Sequence, residues 1–132
     1  DMNGGFNVLK DVYKTRVYEL AKWRNEQGAV IPERIITKAP SAELRDNQTD
    51  QDSLPDYDVL DDILQGLIEN QDSIEVIAAR GHDKAIIQKV AHLLRISEYK
   101  RYQAPPGTKI TTRAFGRDRR YPMTNKWKFY KF

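Results

Sequence analysis

Apolar positions recur at helical spacing along most of the chain. Val12, Val17, Leu20, Ala21 and Trp23 form a first stripe that predicts a helix over 12–27, with Asp11 as N-cap and Gly28 as the stop. Pro32 suits the opening turn of a short helix over 33–37, where its missing N–H costs nothing, and Pro40 closes it. Tyr57, Val59, Leu60, Ile63, Leu64 and Leu67 form a second stripe. It predicts a helix from 57 to about 69, capped by Asp56 or Asp58, whose acids complement the helix dipole. A short helix over 73–79 stops at Gly81. Asp83 then caps the longest helix, with the stripe Ile86, Ile87, Val90, Leu93, Leu94 and Ile96, reaching about 102. The segment 108–114 is the one strand candidate.

Between the second and third helices the pattern lapses. KAPSAELRDNQTDQDSLPDYD is polar and rich in turn-forming residues, a loop length that in a compact domain marks either disorder or a binding lid. Five short amphipathic helices could make a small helical domain. They equally suit one flank of an α/β domain whose sheet lies elsewhere, because a helix must bury one face but need not bury it on another helix.

At 132 residues the chain is of single-domain size, and its apolar share of 39% is low for a globular protein. No stretch approaches the roughly 20 apolar residues of a membrane span, and DMNGGFNVLK lacks the basic and apolar regions of a signal peptide. The absence of cysteine removes disulfides, thiolate nucleophiles and thiolate metal sites together and fits a reducing compartment, so the expected location is the cytoplasm. The chain starts at Asp1 without an initiator Met, and we expect it to be a piece of something longer.

Charge is segregated. From Tyr99 onward ten cations face a single acid, Asp118, whereas the whole chain carries only +3. That basic end is a candidate site for phosphates or other anions. Its AFGRDRRYP stretch interleaves aromatics with arginine and could stack on and neutralise nucleic acid, though no recognition motif accompanies it.

Several residues are candidates for chemistry. Lys14 and Arg16 fall in the first turns of the first helix, where a cation opposes the dipole. A phosphate on the free N–H groups there would compensate, and a solvated lysine is the plainer reading. Ser41 follows a proline-set turn and offers a hydroxyl to a phosphate or ribose, or simply to a turn. Asp46, Asp50, Asp52, Asp56 and Asp58 lack the glycine and terminal glutamate of a calcium loop. His82 and His92 have no carboxylate at metal-ligand spacing, which points to surface or capping roles. No Ser stands beside a His, so there is no triad signal. Glu98-Tyr99-Lys100-Arg101 ends the longest predicted helix with two cations that complement its C-terminus.

Taken together, VYKT, KAPSAELR with TDQDSLPDYDVLDDIL, EYKR and QAPPGTKITTRAFGRDRRYP resemble, in order and over nearly the whole chain, the C-terminal part of NAD synthetases, most of all the bacterial glutamine-dependent form. The resemblance implies a mainly α-helical fragment, the C-terminal helical flank of a Rossmann-like α/β N-type ATP pyrophosphatase (adenine nucleotide alpha hydrolase-like) domain. On this reading residues 1–132 are the C-terminal part of the synthetase domain, with a flexible substrate loop over about 41–54 and a basic tail over about 103–132. The implied reaction adenylates the nicotinate carboxylate of deamido-NAD with ATP, releasing pyrophosphate; ammonia, drawn from glutamine, then displaces AMP to give NAD.

Carried over by position, Lys14 and Ser41 would contact ATP, the serine standing where the family usually has threonine. Tyr99 and Lys100 would contact deamido-NAD from a partner subunit of a homo-oligomer, Tyr99 standing where ammonia-dependent members more often have histidine. Gly5 occupies the place of the family's deamido-NAD-contacting aspartate, so that role is not carried over. The family's phosphate-binding loop, its magnesium-binding acids and the glutaminase cysteine have no counterpart in this sequence. The expectation is therefore no catalytic or metal-binding residue here, Mg2+ held by another part of the enzyme, no nucleic-acid or membrane partner, and no NAD made by these 132 residues alone. The rival reading is a small helical nucleic-acid-binding module using the basic tail. A helical interaction domain without a ligand is the third.

Overall fold

The first helical stripe becomes α1 (Lys14–Glu26), which starts later than predicted. Its N-cap is Tyr13, and the predicted cap, Asp11, lies outside the helix and points elsewhere. The computed structural model describes residues 4–41 and 46–124. Two units divide the chain, Tyr13–Asp61 and the pair of segments Asp1–Val12 and Asp62–Phe132.

In the smaller unit α1 packs against α2 (Glu33–Thr37), whose bounds match the proline-framed prediction. The link between them is fixed by Asn25, whose side-chain oxygen accepts from the amides of Val30 and Ile31 while its amide donates to the Ile31 carbonyl at 2.8 Å. No residue of α1 is buried, and Leu20 and Trp23 of its apolar stripe are 46% and 57% exposed. The predicted burial of that face is not met within these residues, as expected of a helix whose partner surface lies elsewhere. A 3₁₀ turn (Asp50–Asp52) breaks the long loop. Asp52 accepts from both the amide and the hydroxyl of Thr49, and the Asp50 amide donates to the Pro40 carbonyl at 2.9 Å. Helix α3 (Tyr57–Gln65) begins in this unit, with the Leu60 amide bonded to the Asp56 carbonyl.

From Asp62 onward α3 belongs to the larger unit and runs into a π-helical turn (Gly66–Asn70), which Gln71 ends in the left-handed conformation at φ 58°. Gly66 leaves room there for a close approach of Ile77. A Cβ at that position would lie 3.0 Å from two side-chain carbons of Ile77. Helix α4 (Ile74–Ala78) is capped by Ser73, which accepts from the Val76 amide, and α5 (Lys84–Ile96) by Asp83, which accepts from the Ala85 and Ile86 amides. Helix α4 packs on α5. The core consists of Ile63, Ile68, Ile77, Ile87, Val90 and Leu94, all buried.

The predicted single helix to about 102 is two. The chain breaks at Ser97, whose hydroxyl donates back to the Leu94 carbonyl, and α6 (Glu98–Gln103) starts afresh. The 108–114 strand does not form either. Among the described residues the only β pairing is an isolated parallel bridge between Asn7 and Gly107, and the threonines serve as hydroxyl donors. No described helix is long and apolar enough to cross a membrane.

Candidate functional site

Lys14 occupies the first position of α1, the positive end of the helix dipole, where its own charge is unfavourable by roughly 0.3–1 kcal/mol. Two aromatic rings offset that cost. Its ammonium lies 5.6 Å from the ring centroid of Tyr18 and 5.8 Å from that of Tyr57, within cation–π range of both. Tyr18 is one helical turn on from Lys14. Tyr57, more than forty residues away, gave no local signal.

The helix start is less open than a phosphate site would need. The Thr15 amide, one of the expected free N–H groups, donates to the Asp61 carboxylate at 2.8 Å. Arg16 is not part of the site, since it pairs with Glu19 on the exposed face of α1. The Tyr57 hydroxyl donates to the Asp50 carboxylate, so one side chain touches both the lysine and the 3₁₀ turn of the loop. Burial first, and then the neighbouring Asp50 carboxylate, push the Tyr57 phenol well above its ordinary value, which keeps the hydroxyl protonated and donating. Ser41 is half-buried next to Pro40, whose carbonyl receives the Asp50 amide. Residues 42–45 of the expected 41–54 loop lie outside the described residues.

In the larger unit Tyr99 and Lys100 are both exposed and adjacent on α6. The flanking Arg101 and Glu98 behave differently. Arg101 is not a solvated complement to a helix end: it is 6% exposed and Glu98 2%. The Arg101 guanidinium donates to Glu98 at 2.9 Å, to the Ser97 hydroxyl at 2.8 Å and to the Leu94 carbonyl. Arg120 adds a second cation to Glu98 at 3.2 Å. This buried network fixes α6 and thereby the orientation of Tyr99 and Lys100.

A second anchor reaches α6 from its far end. Asp11, 4% exposed, accepts from the Ile110 and Thr111 amides and the Thr111 hydroxyl, each at 2.8 Å, and from the Phe115 amide at 2.9 Å. Lys10 donates to the Pro105 carbonyl at 2.6 Å, and its stem runs beside Gly107 and Gly116, where a Cβ would collide with it. A Cβ on Gly107 would also strike the Asn7 carbonyl oxygen. Elsewhere in this unit the His82 ring meets Asp62 at 2.5 Å, a carboxylate partner that spacing did not reveal.

Many cations of the basic tail are engaged within the unit. Lys109 pairs with Asp118, Arg119 donates to the Leu67 carbonyl and lies over Tyr121, and Arg120 holds Glu98 and lies over Tyr102. Lys126, Lys128 and Lys131 lie outside the described residues. Among the described residues no three His, Asp or Glu come together to hold a metal ion.

The comparisons with known proteins agree with one another. A family model described as NAD synthase matches residues 1–104. The chain is 56% identical over 137 residues to a glutamine-dependent NAD(+) synthetase of Rhodobacter capsulatus, covering 97% of this chain and 25% of that protein. It is 57% identical over 130 residues to one of Acinetobacter baylyi, covering 97% and 24%. It also superposes, with a TM-score of 0.53 and 50% identity over 94% of this chain and 21% of the other, on a solved glutamine-dependent NAD+ synthetase from Acinetobacter baumannii in complex with adenosine diphosphate. The chain thus spans about a quarter of the length of the curated relatives it matches.

Proposed function

The chain belongs to the NAD synthase family, and from that premise we propose that it forms the C-terminal, mainly helical part of a cytoplasmic, glutamine-dependent NAD synthetase. The whole enzyme adenylates the nicotinate carboxylate of deamido-NAD with ATP, releasing pyrophosphate. Ammonia from glutamine then displaces AMP to give NAD. Chemically, the carboxylate becomes an electrophile only once one of its oxygens is part of a good leaving group. The observation that carries this reading is the identity of 56% over 97% of the chain to a glutamine-dependent NAD(+) synthetase.

Within that enzyme the chain is the helical flank of a Rossmann-like α/β domain, a role that suits the uncovered face of α1 at Leu20 and Trp23. Lys14 and Ser41 contact ATP, and the loop over 41–54 closes on it, excluding water from the adenylate. Tyr99 and Lys100, exposed side by side on α6, reach the deamido-NAD bound by a partner subunit of a homo-oligomer. Mg2+ is held by another part of the enzyme, since among the described residues no three His, Asp or Glu come together.

The test is kinetic, in the full-length synthetase. Lys14→Met removes a charged donor to phosphate and should raise the KM for ATP about 10- to 100-fold. Lys100→Ala should raise the KM for deamido-NAD and leave that for ATP within about twofold. An ATP KM unmoved by Lys14→Met would refute the assignment of the site.

A further inference from the structure

The two residues proposed for ATP lie at separate points of the smaller unit, one at the start of α1 and one at the start of the loop, and one side chain links them. We infer that Tyr57, which the sequence marks only as the first apolar position of its helix, is a positioning residue of the ATP site: its ring seats the Lys14 ammonium while its hydroxyl fixes, through Asp50, the loop that carries Ser41. The inference rests on the reading of Lys14 and Ser41 given above.

Every link of that path is present. The Lys14 ammonium lies 5.8 Å from the Tyr57 ring centroid. The Tyr57 hydroxyl donates to the Asp50 carboxylate. The Asp50 amide donates to the Pro40 carbonyl at 2.9 Å, and Pro40 directly precedes Ser41. Asp50 is also the hub of its own turn, its carbonyl accepting from the amides of Ser53 and Leu54. Tyr57 is the first residue of α3 and is half-buried, so its ring is carried by a helix rather than by the loop it restrains.

The chemistry explains why a tyrosine is used. Lysine has a long, flexible stem, and aiming it at a phosphate costs rotamer entropy. A ring face holds the ammonium in one region without neutralising it, whereas a carboxylate would compete with the incoming phosphate for the same charge. Phenylalanine would supply that face but not the hydrogen bond to Asp50.

The test compares Tyr57→Phe, Asp50→Ala and their double variant with Lys14→Met in the full-length synthetase. The measurements are kcat, the KM for ATP, the KM for deamido-NAD and the thermal midpoint. Tyr57→Phe should raise the KM for ATP about 3- to 10-fold, the size expected for one hydrogen bond, with kcat and the KM for deamido-NAD within about twofold. The double variant should be no worse than the worse single one, because both break the same link. An unchanged ATP KM in Tyr57→Phe, or single effects that multiply in the double variant, would overturn the inference. So would a parallel rise of both KM values with a fall in thermal midpoint, which is the signature of a merely structural tyrosine. Lys14→Met separates the two layers. If it leaves the ATP KM unmoved, the site reading itself fails; if it raises that KM while Tyr57→Phe does not, only the role of Tyr57 fails.

Discussion

Asp11→Ala deletes one carboxylate that serves four donors of the 110–115 segment. A hydrogen bond to a charged acceptor contributes roughly 1.5–3 kcal/mol, but the four share one group and are partly reached by water, so they do not add. A local loss of about 2–4 kcal/mol is expected. At 1.36 kcal/mol per factor of ten, that corresponds to exchange about 30- to 900-fold faster at the amides of Ile110, Thr111 and Phe115, read by native-state hydrogen exchange. Asp11→Asn should do less. Its one carbonyl oxygen can face the three donors that meet Oδ2, which leaves its NH2 opposed only to the Phe115 amide. Exchange at these amides unchanged in Asp11→Ala, or equal in the two variants, would refute the assignment of Asp11 as the anchor.

The acid dependence of the same anchor has a definite sign. Burial alone would raise the Asp11 carboxyl, and the backbone bonds from Thr111, Phe115 and Ile110 outweigh it, leaving it below its ordinary value. A carboxyl lowered in the folded state contributes stability that is fully present above its unfolded value near ~3.9 and is lost as pH falls through the folded one. The difference between wild type and Asp11→Ala should therefore be flat from neutral pH down to about 5 and close only in strong acid.

Two further perturbations probe the frame around α6 and α5. Arg101→Met leaves Glu98 buried with Arg120 still paired to it and should cost about 3–5 kcal/mol, seen as a lowered thermal midpoint; no shift would mean that Glu98 is satisfied without Arg101. Asp83→Ala removes the α5 cap at about 1 kcal/mol, with faster exchange at Ala85 and Ile86 and little change at Leu94.

What was legible in the chain was what is decided locally. Asp83 caps the helix it precedes, and Pro32 and Pro40 frame α2, because each acts within three or four residues. Asp11 was misread for the same reason. An acid before an apolar run looks like a cap, and its real partners stand about a hundred residues away. The β-branched run at 108–114 suggested a strand, but Thr108, Thr111 and Thr112 spend their hydroxyls on Val8, Asp11 and Glu69. The apolar stripe of α5 gave no warning of the break at Ser97, across which the buried Arg101 guanidinium bonds to the Ser97 hydroxyl and the Leu94 carbonyl. Of the candidate site, Lys14 was singled out by its place at a helix start, whereas its aromatic partners Tyr18 and Tyr57, and Asp61 on the Thr15 amide, enter only with the structure.

The Asp11 anchor also sets a clock. Its most distant donor, Phe115, follows it by 104 residues. At a synthesis rate of about 5–20 residues per second, Asp11 leaves the ribosome's catalytic centre roughly 5–20 s before its last partner exists. During that interval the Asp11 carboxylate lacks its four donors, and the clasp on it closes only once Phe115 has been made. A chain truncated before residue 110 should therefore keep α4 packed on α5, and the bonds of Asn7, Val8 and Lys10 to residues 105–108, while the buried Asp11 carboxylate is left without its four donors.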